Sequence, residues 1–382
     1  MAFTIDDPKT EQATLAKTIA KFCYERLTDI PKNQPCTEDR FRELLRSFGE
    51  MGFIDAHVPI ARSGLGQPLS LQWHIIRNIS KHNPGIALSY LAHTILVCHL
   101  LLQKNTDKAL NSIIEQIQQG NAIACCCISE ANAGSDIFSM KTTAIEMENH
   151  YILDGEKCWI TNAPYADYAL VYAKIGSTTT KKMGIFLVDC KNPAIHRSQP
   201  LNKIGMKSSP TGSIYFNKVA IPKNNRVDSG NGKDLLFEQL NVERLMLAAG
   251  PIGIMDYCFD ETLQYIKTRR QFSQPLSKQP VIQAKIADMW TIYQASIAYC
   301  EKALEYHHRH QSIPAELAAS CYLFSSESAV KLAEEAIQTH GANGYMDELK
   351  IGQYWQDAKL YTIGGGSNEI RRWLIGRKLT AY

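Results

Sequence analysis

Small and hydroxyl-bearing residues follow the first β-rich run of the chain and could hold a planar ligand. Glycine and serine in the segment 129–136 would let backbone N–H groups and the hydroxyls of Ser129 and Ser135 approach a ligand closely. Further along, Trp159 and Thr161 pair an aromatic ring with a hydroxyl, which can cover a planar ring and hydrogen-bond its edge. An ordinary loop and a core tryptophan are equally consistent with these two segments taken alone.

A glutamate in the second half of the chain is the candidate for proton transfer. Glu243 precedes Arg244, and we expect it near the start of a long helix, one turn before Leu247, so that Glu243 and Leu247 share a face. A carboxyl group in a dry site has a raised pKa and can act as a general base. By default, a glutamate before an arginine on a helix forms a solvated ion pair.

Several familiar site motifs are missing from the sequence. It contains no GxxxxGK[ST] loop, and Gly364-Gly365-Gly366-Ser367 does not complete GxGxxG or follow a strand, which argues against P-loop and Rossmann enzymes. There is no GxSxG elbow and no CxxC pair. His307, His308 and His310 resemble metal ligands, but a solvated helix end explains them better, so we predict no metal site.

Composition excludes several classes of protein. The 382 residues carry 41 basic and 38 acidic side chains, a net charge of +3 that is too balanced for nucleic-acid binding through charge. The most apolar run, 87–102, falls short of the roughly 20 residues that cross a bilayer and predicts a buried helix without membrane insertion. The eleven cysteines are expected to be buried, reduced thiols.

The N-terminus gives an expectation about the compartment. It lacks a basic region followed by an apolar stretch and carries Asp6 and Asp7 early, unlike a signal or transit peptide. We therefore expect a bacterial cytoplasmic protein, or a mitochondrial matrix protein if the chain is a mature eukaryotic form.

The elements that must position these residues fall into three blocks. Residues 1–121 have helical periodicity, residues 122–225 form a β domain, and residues 226–382 return to long helices. Asp154-Gly155 predicts a two-residue hairpin turn inside the β block. Strands do not alternate with helices, so we predict an α+β protein rather than a doubly wound sheet. The expected strands lie at 122–128, 151–153, 156–160, 168–175, 184–188 and 213–219.

Five ordered motifs spanning more than 240 residues resemble the acyl-CoA dehydrogenase family. They are Ser129-Glu130 with Gly134-Ser135-Asp136, Trp159-Ile160-Thr161-Asn162, Arg269 with Phe272, Gln338 with Gly341-Ala342-Asn343-Gly344-Tyr345, and Ser367-Asn368-Glu369-Ile370-Arg371-Arg372. The resemblance implies the family's fold: an N-terminal helical domain, a middle β-barrel domain and a C-terminal four-helix bundle. It also implies an FAD enzyme that removes two hydrogens from the α and β carbons of an acyl-CoA thioester.

The same resemblance implies which residues bind FAD. Those matching the segments around the isoalloxazine ring are Ile128, Ser129, Ser135, Trp159 and Thr161, with the Thr161 hydroxyl near N5. Those matching the pyrophosphate and adenosine segments are Arg269, Phe272, Gln338, Gly341, Ala342, Ser367 and Glu369, and several of these reach a neighbouring subunit in the family. A homo-oligomer, usually a tetramer in this family, is the expected assembly.

The position of the base distinguishes branches of the family. Most members carry the catalytic Glu in the loop before the Ser/Thr-x-Glu-Ile motif, where this chain has Gly365. The isovaleryl-CoA and long-chain branches carry it at the helical position that matches Glu243. The Gly365 N–H, together with a flavin ribityl hydroxyl, would then hold the thioester oxygen.

Finer resemblance favours the isovaleryl-CoA branch and implies a substrate pocket. Gly364 and Gly365 would leave room for a 3-methyl branch, Leu88 and Leu247 would line the acyl end, and Arg244 and Ser135 match residues that meet the substrate. The implied reaction converts isovaleryl-CoA to 3-methylcrotonyl-CoA in leucine breakdown, with an electron-transfer flavoprotein as the acceptor.

Three alternatives stay open. Within the dehydrogenases, the substrate could be a longer straight-chain acyl-CoA or an acyl thioester on a carrier protein. A flavin oxidase or monooxygenase would keep the same architecture and use oxygen. A non-catalytic flavoprotein would use the fold only for assembly, a hypothesis that the missing loop carboxylate motivates and Glu243 opposes.

Overall fold

The computed structural model describes residues 11–62, 64–104, 108–230 and 232–380. Helices fill the first part, strands the middle and helices the last, which confirms the predicted α+β class. The helices are α1 (Glu11–Leu27), α2 (Glu38–Glu50), α3 (Leu69–His82), α4 (Pro84–Leu91), α5 (Leu100–Lys104), α6 (Asn111–Gln118), α7 (Gly232–Leu247), α8 (Ala249–Thr268), α9 (Pro280–His310), α10 (Ala315–His340), α11 (Ala342–Tyr345), α12 (Ile351–Tyr361) and α13 (Asn368–Thr380). The strands are β1 (Ala124–Cys127), β2 (Thr143–Glu146), β3 (His150–Thr161), β4 (Tyr168–Ile175), β5 (Met183–Asp189), β6 (Ile195–Arg197), β7 (Thr211–Pro222), β8 (Arg270–Gln271) and β9 (Gln274–Pro275).

A long helix through the N-terminal part contacts both other parts of the molecule. It starts at α4, where Asn83 accepts a hydrogen bond from the Ile86 N–H and Pro84 occupies the first turn. It continues through a π-helical stretch, Ala92–His99, into α5. The Gln239 side chain of α7 donates to the carbonyl of Ile95 at 2.6 Å, which ties this stretch to the helix that carries Glu243.

The same helix has the length and composition of a membrane span. The apolar stretch is longer than the sequence suggested, since Pro84–Gln103 covers 20 residues. However, 89% of its most apolar window is buried inside the protein, as expected for a core helix, and no other described helix is long and apolar enough to span a bilayer.

The middle strands form one twisted sheet with its own core. Its strand order is β1-β4-β2-β3-β7-β6, with β5 paired to β4, and β1 runs parallel to β4. Alternate residues of these strands pack a separate apolar cluster that includes Val171, Phe186 and Ile214. The remaining buried apolar residues form a second cluster that joins the N-terminal and C-terminal helices.

The predicted hairpin turn at Asp154-Gly155 is wrong. Both residues lie inside β3, which runs unbroken along β7 with a register shift between Leu153 and Gly155. Gly155 has φ 142°, and an added Cβ would lie 2.7 Å from the Thr142 Cα, so glycine serves a bulge here. A local turn signal cannot distinguish a tight turn from a bulge, because both use glycine with a positive φ.

The predicted position of Glu243 within its helix is also wrong. Helix α7 begins at Gly232 and ends at Leu247, so Glu243 lies in its last turns rather than near its start. Only Ala248 separates α7 from α8. Because the helical pattern of the sequence continues across this boundary, it predicts one long helix instead of two. Helix α10 packs against α7, α8, α9, α12 and α13 and forms the centre of the C-terminal bundle.

All eleven cysteines are free, and ten of them are buried, as predicted. Cys125 and Cys127 project from the same face of β1 with their sulfur atoms 3.7 Å apart, and burial contributes to the raised pKa of most of these thiols. They pack as small apolar residues.

Candidate active site

The structure brings Glu243 and Gly365 together. Gly365 has φ +65°, and a Cβ built on it would lie 3.9 Å from Glu243 Oε1 and only 2.5 Å from Leu247 Cδ1. A side chain at position 365 would therefore strain the backbone and collide with Leu247. At this place the loop presents only backbone, and the nearest carboxylate comes from helix α7.

The environment of Glu243 suits a general base. Its side chain is 8% exposed, and no described residue hydrogen-bonds or ion-pairs with its carboxylate. Burial raises the pKa of Glu243 to about 7, and the nearby guanidinium groups of Arg244 and Arg371 limit the rise. A carboxylate that titrates near neutral pH is poised to accept a proton from a weak carbon acid.

Arg244 is a buried cation beside the same loop. Its Nη1 donates to Asn241 Oδ1 at 3.0 Å, its Nε has no hydrogen-bond partner, and its Nη2 lies 4.0 Å from the Cβ position of Gly366. Burial lowers the pKa of Arg244. The sequence-predicted residues Arg244, Leu247 and Gly365 thus lie close to the Glu243 carboxylate, and Gly364 precedes Gly365 in the loop.

Two residues with no role predicted from the sequence hold the loop Gly364-Gly365-Gly366, here called the glycine loop. Arg371 donates from Nη2 to the Gly364 carbonyl at 2.6 Å, and the Tyr322 hydroxyl donates to the same carbonyl at 3.1 Å. The Arg371 guanidinium also lies 3.5 Å from the centre of the Tyr322 ring. Arg371 belongs to the Ser367–Arg372 motif that carries the family resemblance. No sequence feature indicated a role for Tyr322, which lies 42 residues from Gly364.

Four of the five residues predicted to hold the flavin ring lie where the end of β1 meets the end of β3, here called the β1–β3 junction; they are Ile128, Ser129, Trp159 and Thr161. Trp159 adopts φ 57° where β3 shifts register against β7, and its ring is 59% exposed, unusual for an indole. The Ser129 carbonyl accepts from the Cys158 N–H at 2.9 Å, which joins the end of β1 to β3. Ile128, Ser129 and Thr161 are half-buried there, and neither hydroxyl has a hydrogen-bond partner among the described residues.

An exposed indole beside unpartnered hydroxyls fits a planar, polar-edged ring such as a flavin. Asn162 follows Thr161 directly. Its side-chain amide donates to the Ser89 carbonyl at 2.9 Å, so α4 contacts the sheet at the β1–β3 junction. Leu88 is half-buried at that contact, and its place at the acyl end of a substrate stays a prediction.

A buried ion pair packs beneath the β1–β3 junction. Lys157 is fully buried and donates from Nζ to Glu130 Oε1 at 3.0 Å and to the Ile128 carbonyl at 2.9 Å. Glu130 also accepts from the Thr142 N–H and hydroxyl, which fixes both ends of the 130–142 loop. Ser135 lies exposed on that loop.

The residues predicted for pyrophosphate and adenosine lie on the C-terminal bundle in two groups. In the first, Tyr265 of α8 donates to the His340 carbonyl at 3.2 Å, which places the turn carrying Arg269 and Phe272 near the end of α10. Gln338, Gly341 and Ala342 are exposed at that end. In the second group, Ser367 and Glu369 line a cavity of about 350 Å³ next to α10 and α12.

The histidine-rich end of α9 is not the solvated segment that we predicted. His307 and His308 are half-buried and line a cavity of about 760 Å³ together with His57 and His99, while His310 is exposed. Among the described residues, no group of three or more metal-binding side chains is placed to hold an ion.

Comparisons with known proteins show the family to which the chain belongs. Three family models match: "Acyl-CoA dehydrogenase, N-terminal domain" over residues 9–121, "middle domain" over 125–219 and "C-terminal domain" over 230–380. The chain is 35% identical to mitochondrial isovaleryl-CoA dehydrogenase of Pongo abelii, over 97% of this chain and 89% of that protein. It is 33% identical to mitochondrial 2-methylacyl-CoA dehydrogenase of Solanum tuberosum, over 96% of this chain and 90% of that protein.

A solved structure has the same fold. Butyryl-CoA dehydrogenase from Megasphaera elsdenii superposes with a TM-score of 0.92, at 24% identity and covering 99% of this chain and 100% of that one. With all three of its parts matched, the chain belongs to the acyl-CoA dehydrogenase family and is an FAD-dependent acyl-CoA dehydrogenase.

Proposed function

We propose that this enzyme dehydrogenates isovaleryl-CoA to 3-methylcrotonyl-CoA and that Glu243 is its base. The observation that carries the proposal is the position of the Glu243 carboxylate, which lies 3.9 Å from the Cβ position of Gly365. The family resemblance implies that most members carry the catalytic glutamate at this loop position. The burial of Glu243 and its pKa of about 7 support the same role.

The α C–H of a thioester is a weak acid, so its removal needs both a base and stabilisation of the enolate oxygen. Glu243 takes the α proton, and the electron pair of that C–H bond becomes the new Cα–Cβ double bond. The Gly365 N–H donates to the thioester oxygen; removing one such donor typically costs about 3 kcal/mol of barrier. The flavin supplies the acceptor for the β hydrogen, which leaves with its electron pair as a hydride.

The relatives support a branched substrate. A Cβ on Gly364 would make ordinary van der Waals contact with Leu360 at 3.6–4.0 Å, so packing at this glycine does not itself select the acyl chain. The resemblance to isovaleryl-CoA dehydrogenases supports a methyl branch on the β carbon. The 2-methylacyl-CoA relative favours a second candidate, a substrate branched at the α carbon, and longer straight-chain or carrier-bound thioesters remain alternatives.

The proposal extends to the cofactor site, the assembly and the acceptor. Ser129, Trp159 and Thr161 would hold the flavin ring, and Ser135 and Arg244 would meet the substrate. Arg269, Phe272, Gln338, Gly341, Ala342, Ser367 and Glu369 would bind the rest of FAD, with part of this set serving a neighbouring subunit of a tetramer. The reduced enzyme would pass its electrons to an electron-transfer flavoprotein, and the reaction would belong to leucine breakdown.

Replacing Glu243 with Gln tests the base directly. Glu243→Gln should purify with FAD but be reduced by isovaleryl-CoA at least about 100-fold more slowly than the wild type, because the amide cannot accept the proton. Glu238→Gln, an exposed position on the same helix, is the control and should behave as wild type. Normal anaerobic bleaching of the Glu243→Gln flavin would overturn the assignment.

A further inference from the structure

The two donors on the Gly364 carbonyl act on a single peptide group. The peptide that joins Gly364 to Gly365 has its C=O facing Arg371 Nη2 and the Tyr322 hydroxyl, at 2.6 and 3.1 Å. A trans peptide is planar, so its N–H points away from its C=O. The Gly365 N–H therefore points away from these two donors, and no described residue accepts a hydrogen bond from it.

Arg371 is an unusual donor to find there. Its side chain is 1% exposed, and no described carboxylate lies within ion-pair distance of it. Its other hydrogen bonds go to the Tyr361 carbonyl, Ser326 Oγ and Asn368 Oδ1, all of them neutral acceptors. A buried guanidinium without a paired carboxylate leaves a positive charge behind the glycine loop, on the side away from the Gly365 N–H.

Hydrogen bonds to a carbonyl polarise the whole amide. Donation to the C=O draws electron density from the nitrogen and makes the N–H of the same peptide a stronger donor, by an estimated 10–30% per bond. A charged donor such as guanidinium has the larger effect. Two donors also fix the plane of the peptide, which keeps its N–H aimed in one direction.

We propose that Arg371 and Tyr322 are positioning residues that orient and polarise the Gly364–Gly365 peptide, so that its N–H stabilises negative charge on the substrate's thioester oxygen. The inference rests on the proposed function, because it takes the Gly365 N–H as the donor to that oxygen. Neither side chain touches the reacting atoms, and both act through the peptide.

Tyr322→Phe tests this with the least disturbance, since it removes only the hydroxyl and keeps the ring against Arg371. We expect flavin reduction to slow about 3- to 10-fold with KM little changed, as for the loss of one hydrogen bond. Acetoacetyl-CoA, an acidic thioester, gives a second readout: its acid dissociation constant on the enzyme should fall by a similar factor. Arg371→Lys should slow reduction more, because the ammonium cannot reproduce the planar donor geometry.

The matched control is Tyr354→Phe, which removes another buried hydroxyl that donates to backbone, here the Lys81 carbonyl at 2.6 Å. It should match the wild type in reduction rate and in ionisation of acetoacetyl-CoA. If Tyr322→Phe matches the wild type in both readouts, the inference is wrong. Failure of the proposed base would appear separately, as normal bleaching of Glu243→Gln.

Discussion

At the scale of single residues, desolvation controls the chemistry of Glu243. The carboxylate gives up hydration without gaining a hydrogen bond, and the two neighbouring arginines offset only part of that cost. Burial therefore raises its pKa from 4.5 to about 7. Burial of this kind destabilises the ionised carboxylate, which costs folding stability and makes the group a stronger proton acceptor.

The pH dependence of flavin reduction follows from this shift. If Glu243 is the base, it must be ionised to accept the proton, so kcat/KM should rise about tenfold per pH unit below pH 7 and level off above it. Stopped-flow reduction from pH 5.5 to 8.5 measures the profile. A rate that is flat over this range, or that falls as the pH rises, would contradict a base that titrates near 7.

At the scale of elements, the candidate site forms where the C-terminal end of α7 meets the glycine loop. Glu243 and Gly365 lie 122 positions apart in sequence. Leu247, one turn after Glu243, packs against the Cα of Gly365, so the helix that carries the proposed base also shapes the loop. The sequence predicted this pairing only through family resemblance. Spacing alone could not, because the contact depends on how α7 and α12 pack through α10.

Local patterns predicted the strands and helices well and their boundaries less well. The β block and its main strands followed from short β-rich runs, but Asp154-Gly155 signalled a turn where pairing with β7 keeps β3 continuous through a bulge. Tyr322 could not have been found, because an aromatic residue inside an apolar helix is usually core. Its role appears only where its hydroxyl meets Gly364.

Two glycines of the loop should respond differently to alanine. Gly365→Ala places a Cβ 2.5 Å from Leu247 Cδ1 at φ +65° and should reduce stability by about 1–3 kcal/mol. Gly364→Ala meets nothing closer than 3.6 Å and should change stability by less than about 1 kcal/mol. Thermal unfolding compares them, and equal midpoints for the two variants would contradict the close packing of Leu247 on the loop.

At the scale of the whole molecule, the C-terminal bundle exposes aromatic rings that a single chain leaves uncovered. Phe272 is 91% exposed, Trp373 59% and Trp290 49%. Large exposed aromatics on one domain are typical of a surface that a partner or ligand covers. This pattern supports the proposed homo-oligomer and the proposal that the turn at Phe272 contributes to a flavin site.

Phe272→Asp tests that proposal. The charge should reduce the FAD content of the purified protein and weaken the oligomer, because it removes apolar contact area and introduces a charge that must be desolvated. Tyr215→Asp, 42% exposed on the middle domain, is the matched control and should keep both properties. The ratio of absorbance at 280 nm to that at 450 nm reports FAD content, and light scattering reports the oligomeric state. Wild-type values for Phe272→Asp in both would contradict a role of Phe272 in the proposed site.

The most direct test of the proposed substrate and reaction is anaerobic reduction of the wild-type flavin by a panel of thioesters. The panel comprises isovaleryl-CoA, 2-methylbutyryl-CoA, butyryl-CoA, octanoyl-CoA and palmitoyl-CoA. We predict the highest kcat/KM with isovaleryl-CoA, because the chain resembles isovaleryl-CoA dehydrogenases over nearly its whole length. Faster reduction by a straight-chain or α-branched thioester would contradict the proposed substrate, and reduction by none of them would contradict the proposed reaction.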